Sequence, residues 1–252
     1  MSYTPIVHRF FTPLLRRVYF FLVSFLVVYL AVYAAQYSRW NKERLFHNLV
    51  SGSRAQKLSA AFDLVWLRGE DQLLRALKSS SPAVREVAVE SLWNLWLQAA
   101  GKDAFRLAQR ANLQMDRKDY DEALTTLTQV VKKYPRFAEG WNRRAVLYWQ
   151  MGKYEESIAD SKRVVGLNPN HYGAWQGMGL CQLHLGHLES ACRSLRSALK
   201  INPHDRGLQD FLFQCEELFR KLSPDPSGPL HLVSVTRSCD ILAARNFDDS
   251  LA

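Results

Sequence analysis

YPRFAEGWNRRAVLYWQMGKYEESIADSKRVVGLNPNHYGAWQGMGLCQLHLGHLESACRSLRSALKINP, residues 134–203, holds three prolines at a fixed interval. Pro135, Pro169 and Pro203 are each 34 residues from the next. Setting them in phase brings other positions into register. Trp141 and Trp175 coincide; Gly152 coincides with Gly186, and Tyr120 with Tyr154. Ala123, Ser157 and Ala191 form a column of small residues, while Leu167-Asn168-Pro169 and Ile201-Asn202-Pro203 are near-identical endings. A fixed period of this length is the mark of a solenoid, in which each unit buries its apolar face only against its neighbours.

Each residue type has a physical reason in a pair of antiparallel helices. Small residues let the two helices approach closely, and large aromatics fill the space against the next unit. Glycine permits the tight turn between helices, and proline ends the second helix and directs the chain onward. The phase predicts units at 104–137, 138–171 and 172–205. Unit one is atypical, with Leu107 at the tryptophan position and Lys118 at the turn glycine. Helix 206–222 follows, apolar along Leu208, Phe211, Leu212, Cys215 and Leu218 and charged elsewhere, as a capping helix requires.

These residues resemble the tetratricopeptide-repeat (TPR) family over 104–222. Upstream, 54–103 reads as helical, and LLRALKSSSPAVREVAVESLWNL within it resembles one unit of the HEAT type. Ser80, Ser81 and Pro82 predict a helix start there, followed by an apolar stripe of Val84, Ala88, Leu92 and Leu95. Trp93 and Trp96 share a face, expected to pack against the first repeat; the alternative is an exposed pair that anchors a partner. ESLWNLW (90–96) followed by the repeats is also similar to small TPR proteins of alphaproteobacteria and plastid-bearing eukaryotes, which implies no activity.

Val18 to Tyr37 (VYFFLVSFLVVYLAVYAAQY) runs twenty residues without a charge. A helix of that length rises about 30 Å, the thickness of a bilayer's hydrocarbon. It reads as a transmembrane helix between a basic segment (1–17) and a juxtamembrane segment (38–53). A cleaved signal, with the mature chain starting at Ala35, is the competing reading, and a buried soluble helix a third. The first 42 residues contain no Asp or Glu, which suits an organelle, plastid before mitochondrion. Residues 223–252 open with Pro224, Pro226 and Pro229 and read as a flexible tail.

The net charge of +9 is spread along the chain, without a run of five basic residues, and does not point to nucleic acid. Cys181, Cys192, Cys215 and Cys239 form no CxxC pair; the first three read as small buried hydrophobes rather than a disulfide framework, as in a reducing compartment. His184 and His187 straddle the Gly186 turn and read as structural. No GxSxG, P-loop or HExxH motif occurs, so neither enzyme activity, metal nor cofactor is expected.

The resemblance implies a protein-binding groove lined by the first helix of each unit. Its residues would be Gln109 and Asn112, then Asn142, Arg143, Val146 and Trp149, then Gln176, Gly177 and Leu180. Asn and Gln side chains there would hold an extended peptide or a helix by its backbone. Members of the family that grip the tails of Hsp70 or Hsp90 use two Lys, two Asn and an Arg. Only Asn112 matches, the remaining places holding Ala108, Arg143, Gly173 and Gly177, so no tail clamp is implied. The expectation is an all-α, membrane-anchored solenoid acting as a scaffold or adaptor, with assembly of a membrane complex as its candidate role. A structural subunit of a large membrane complex and an exported soluble protein are the alternatives.

Overall fold

The computed structural model describes residues 6–36 and 38–222, and those residues form twelve α-helices and no strand. Helix α1 (Ile6–Gln36) begins well before the apolar run. Within it, Arg17–Ala35 has a mean hydropathy of 2.3 and is long and apolar enough to cross a membrane, properties shared by a signal sequence. None of that stretch is buried against the rest of the chain. The proline-rich tail and Cys239 lie outside the described residues.

Two 13-residue helices follow, α2 (Arg39–Ser51) and α3 (Arg54–Trp66). Ser38 caps α2 by accepting from the Asn41 amide at 3.1 Å. Ser53 and Gln56 form a reciprocal capping box on α3, which halts α2 and restarts the chain in two residues. A short α4 (Glu70–Ala76) and the longer α5 (Pro82–Leu97) complete the N-terminal part. Glu43 of α2 ties α4 down through Arg75 at 2.7 Å and Gln72 at 2.9 Å. The serines before Pro82 give no side-chain cap to α5. Instead Arg85 reaches back to the carbonyls of Ser79 and Ser80 at 2.8 and 2.9 Å.

The remaining helices carry the period. Helices α6 (Lys102–Asp116), α8 (Ala138–Gln150) and α10 (Tyr172–His184) alternate with α7 (Tyr120–Lys133), α9 (Tyr154–Leu167) and α11 (Leu188–Ile201), and α12 (Arg206–Leu222) closes the stack. Trp141 and Trp175 each donate an indole N–H to the proline carbonyl six residues earlier, at 3.0 and 2.9 Å. Gln209 makes the same bond to Pro203 at 2.7 Å, so α12 enters as a further first helix would. Thr126 to Gln114 and Ser194 to Gln182 bridge the outer hairpins identically, at 2.9 and 2.8 Å. In the middle hairpin Arg144 grips Asp160 instead, at 2.7 and 2.9 Å.

Turn geometry repeats as well. Gly152 and Gly186 have φ of 71° and 74°, and Lys118, their counterpart in the first hairpin, has φ of 63°. A side chain in that left-handed region is strained by roughly 1 kcal/mol. Lys118→Gly should therefore raise the unfolding midpoint, by the equivalent of about 0.5–1 kcal/mol, in denaturant titrations.

One correction concerns the cysteines. Cys181, Cys192 and Cys215 are buried as expected, but Cys192 of α11 and Cys215 of α12 are joined as a disulfide, their Cα atoms 6.0 Å apart. Cys181 stays a thiol, pushed up to about 12 by burial, and touches Ser157. It is inert packing.

Candidate functional site

The first helices of the three hairpins line a concave face, and α5 lies across it. Trp93 and Trp96 do not meet the first repeat; they close on the start of α10, in the third. Trp96 stacks on His171, with centroids 4.4 Å apart and planes 23° apart, while Trp93 meets His171 and Tyr172 edge-on at 5.2 and 5.7 Å. This approach depends on Gly173. A Cβ there would stand 2.6 Å from the Trp93 ring. Leu97, the last residue of α5, and Ala100 beyond it pack against the cluster of Ala104, Ala108, Val130 and Phe137 in the first hairpin.

Polar bonds fix the same junction. Glu70 accepts from the Trp96 indole at 2.7 Å and from Asn168 at 3.1 Å, so the repeat ending LNP is held by α4. Beneath the tryptophans lies a buried charge network. Glu139 and His171 are both fully buried and meet at 2.9 Å. Because His171 Nδ1 accepts from the Ala174 amide at 3.2 Å, its proton is on Nε2, which donates to Glu139. Arg143 approaches the other Glu139 oxygen at 2.6 Å, a charge contact outside hydrogen-bond alignment, and Asn142 donates at 3.2 Å. Burial works to raise the Glu139 pKa, but Arg143, His171 and Asn142 together outweigh it and hold the carboxyl below its ordinary value.

The expected groove residues therefore divide. Asn112, Asn142, Arg143 and Val146 line an open cleft of about 1040 Å³ between α5 and the first two hairpins. Asn142, Val146, Trp149, Gln176 and Gly177 line a smaller space of about 120 Å³, walled by Val89 and Trp93. Gln109 is exposed and borders neither. Leu180, at 2% exposure, belongs to the core that includes Leu208 and Phe211, and offers nothing to a partner. Arg143, whose side chain is 23% exposed, is committed to Glu139. Trp149 packs with Tyr154 and His184 at 5.2 and 4.8 Å, which also accounts for His184 structurally.

The cleft gains a wall that the groove reading lacked. Glu86, Glu90 and Asn94 of α5 face it, with Asp116 and Asp205 at its margins. Their spacing of four along α5 is visible in the sequence, but only the folded-back position of α5 turns that stripe toward the repeats.

The model of the tetratricopeptide repeat matches residues 108–170 and again 143–206. Residues 108–206 are a tetratricopeptide-repeat array. Solved structures similar to this chain are TPR domains. The first TPR of Spaghetti (RPAP3), bound to an HSP90 peptide, is 22% identical, with a TM-score of 0.46 over 46% of this chain and 93% of that one. The Sgt2 TPR domain from Aspergillus fumigatus is 17% identical, with a TM-score of 0.46 over 54% and 93%. The Arabidopsis OM64 TPR domain is 15% identical, with a TM-score of 0.44 over 46% and 95%. No curated protein matches the chain. TPR domains generally mediate protein–protein interaction and scaffolding, and the fold is typically non-enzymatic.

Proposed function

We propose that this protein is a membrane-tethered TPR scaffold that holds a segment of a partner protein in the cleft between α5 and the first two repeats. The observation that carries the reading is that cleft itself: concave, open, of about 1040 Å³, and lined on both sides by polar side chains. Its charges favour a basic segment. Glu86, Glu90 and Asp116 are exposed acids, whereas Arg143 is paired with Glu139 and Arg85 is spent on backbone carbonyls. A cationic helix or strand would meet complementary potential there, and a nucleic acid or an acidic chaperone tail would not. The tail-clamp positions argue the same way, since Trp93 takes the space that Gly173 leaves.

The tether is the apolar stretch Arg17–Ala35. We place the protein in an organelle, plastid before mitochondrion, on the acid-free beginning of the chain alone. Photo-crosslinking side chains at Glu90, Asn112 and, as a convex control, Glu156 test the reading in intact membranes. One partner captured from Glu90 and Asn112 but not Glu156, and lost in Glu86→Lys/Glu90→Lys, is the expected result. Equal capture from all three positions would reject the cleft.

A further inference from the structure

Helices α2 and α3 pack through Leu45, Leu49, Ala60, Ala61 and Leu64. The opposite face of α3 ought to be charged, as on most surface helices. It is not. Leu58, Phe62 and Trp66, spaced by four, are 51%, 74% and 67% exposed, with Ala55 and Ser59 exposed beside them.

Topology fixes where this stripe ends. Gly52 and Ser53 alone separate two helices of 13 residues each, so α2 and α3 run antiparallel and the last turn of α3 is level with the first turn of α2. Trp40 lies in that first turn, 72% exposed. Two residues, Tyr37 and Ser38, separate it from α1. Phe62, Trp66 and Trp40 thus gather at the end of the hairpin from which the apolar helix departs. Residues 38–68 also carry six basic side chains (Arg39, Lys42, Arg44, Arg54, Lys57, Arg68) against two acidic ones (Glu43, Asp63).

We propose that the Leu58–Phe62–Trp66 face, with Trp40, lies in the surface of the same bilayer that α1 enters. The inference rests on reading α1 as a membrane span. Tryptophan favours the interface, where its ring meets acyl chain and its N–H meets headgroups. An apolar helix face flanked by Lys and Arg is the composition that binds there, helped by anionic lipid. Two attachments, one spanning and one lying flat, hold the repeats at a set height and tilt above the membrane, where a single helix would let them swivel. The acid-lined cleft is then presented in a fixed direction.

The test uses the full chain with Cys239→Ser, reconstituted in vesicles of phosphatidylcholine and phosphatidylglycerol. An environment-sensitive fluorophore is attached to Leu58→Cys, Phe62→Cys, Val27→Cys within α1, or Glu156→Cys on exposed α9. Lipids brominated near the headgroup should quench the Leu58 and Phe62 probes roughly twofold, the depth of an interfacial helix being about 5–10 Å, and should leave Glu156 unquenched. Adding Trp66→Glu should weaken that quenching without moving the unfolding midpoint, since the side chain is exposed. Deep-brominated lipid quenching Val27 while Phe62 remains unquenched would overturn the proposal and leave the span standing. Absence of quenching at Val27 would remove the span and this inference together. A blue shift at Phe62 that follows the protein-to-lipid ratio without bromolipid quenching would assign the face to a second copy of the chain, and also overturn it.

Discussion

Trp96→Ala is expected to lower the unfolding free energy by about 3–5 kcal/mol, the range for removing a large buried aromatic. The ring is 4% exposed and stacked on His171, so little can collapse into the space it leaves. Its indole N–H also supports Glu70, which in turn holds Asn168. Trp96→Phe separates these contributions, retaining most of the stacking while removing the hydrogen bond, for a loss of about 1 kcal/mol. Urea titrations in detergent, followed by far-ultraviolet circular dichroism, provide the measurement. One core cluster runs from Leu45 through Trp96 to Leu208, Phe211 and Cys215, so the wild type should unfold in a single transition. Trp96→Ala should split it, the N-terminal helices melting ahead of the repeats. A loss below about 1 kcal/mol with one transition retained would mean that α5 is not docked on the repeats.

That docking is also what the sequence concealed. The repeat period was legible because proline, glycine and tryptophan answer to local geometry: each acts on the turn or hairpin in which it is found. Lys118 could be placed in its turn by counting back 34 positions from Gly152. Contact between Trp93 and His171 spans 78 positions and follows from the curvature of the whole array, which no local spacing encodes. The reading that placed Trp93 and Trp96 on the first repeat applied nearest-neighbour logic, sound for the repeats themselves and inapplicable to a helix that folds back into their concave face. One signal was available. Gly173 and Gly177 leave the inner face of the third repeat without side chains over a full turn, and such a gap in a packed protein calls for a filler from elsewhere. The Cys192–Cys215 pairing was hidden for a different reason, since it depends on how α12 leans on α11. The expected groove residues lie on α6, α8 and α10, but which of them remain open depends on α5 and the core at α12: Leu180 is buried in that core, and Arg143 is paired with Glu139.

The second large effect is expected at Glu139, which the sequence offers only as an acid in the first turn of a helix, where a solvated role is the rule. It is fully buried, and it is the common partner of Arg143, His171 and Asn142. Removing one member of a buried ionic group leaves the others desolvated without compensation, so Glu139→Ala should cost about 3–5 kcal/mol. Glu139→Gln keeps the shape and one oxygen acceptor but no charge, and it exposes the electrostatic part through pH. The folded-state pKa of Glu139 is lowered, so its ionised form contributes stability that is fully present above the ordinary carboxylate value of 4.5 and is lost as pH falls through the lower, folded-state value. The gap in unfolding free energy between wild type and Glu139→Gln should therefore be constant from neutral pH to about pH 5 and shrink progressively below it. A gap that stays constant down to pH 3 would show that the charge on Glu139 is not what secures this junction.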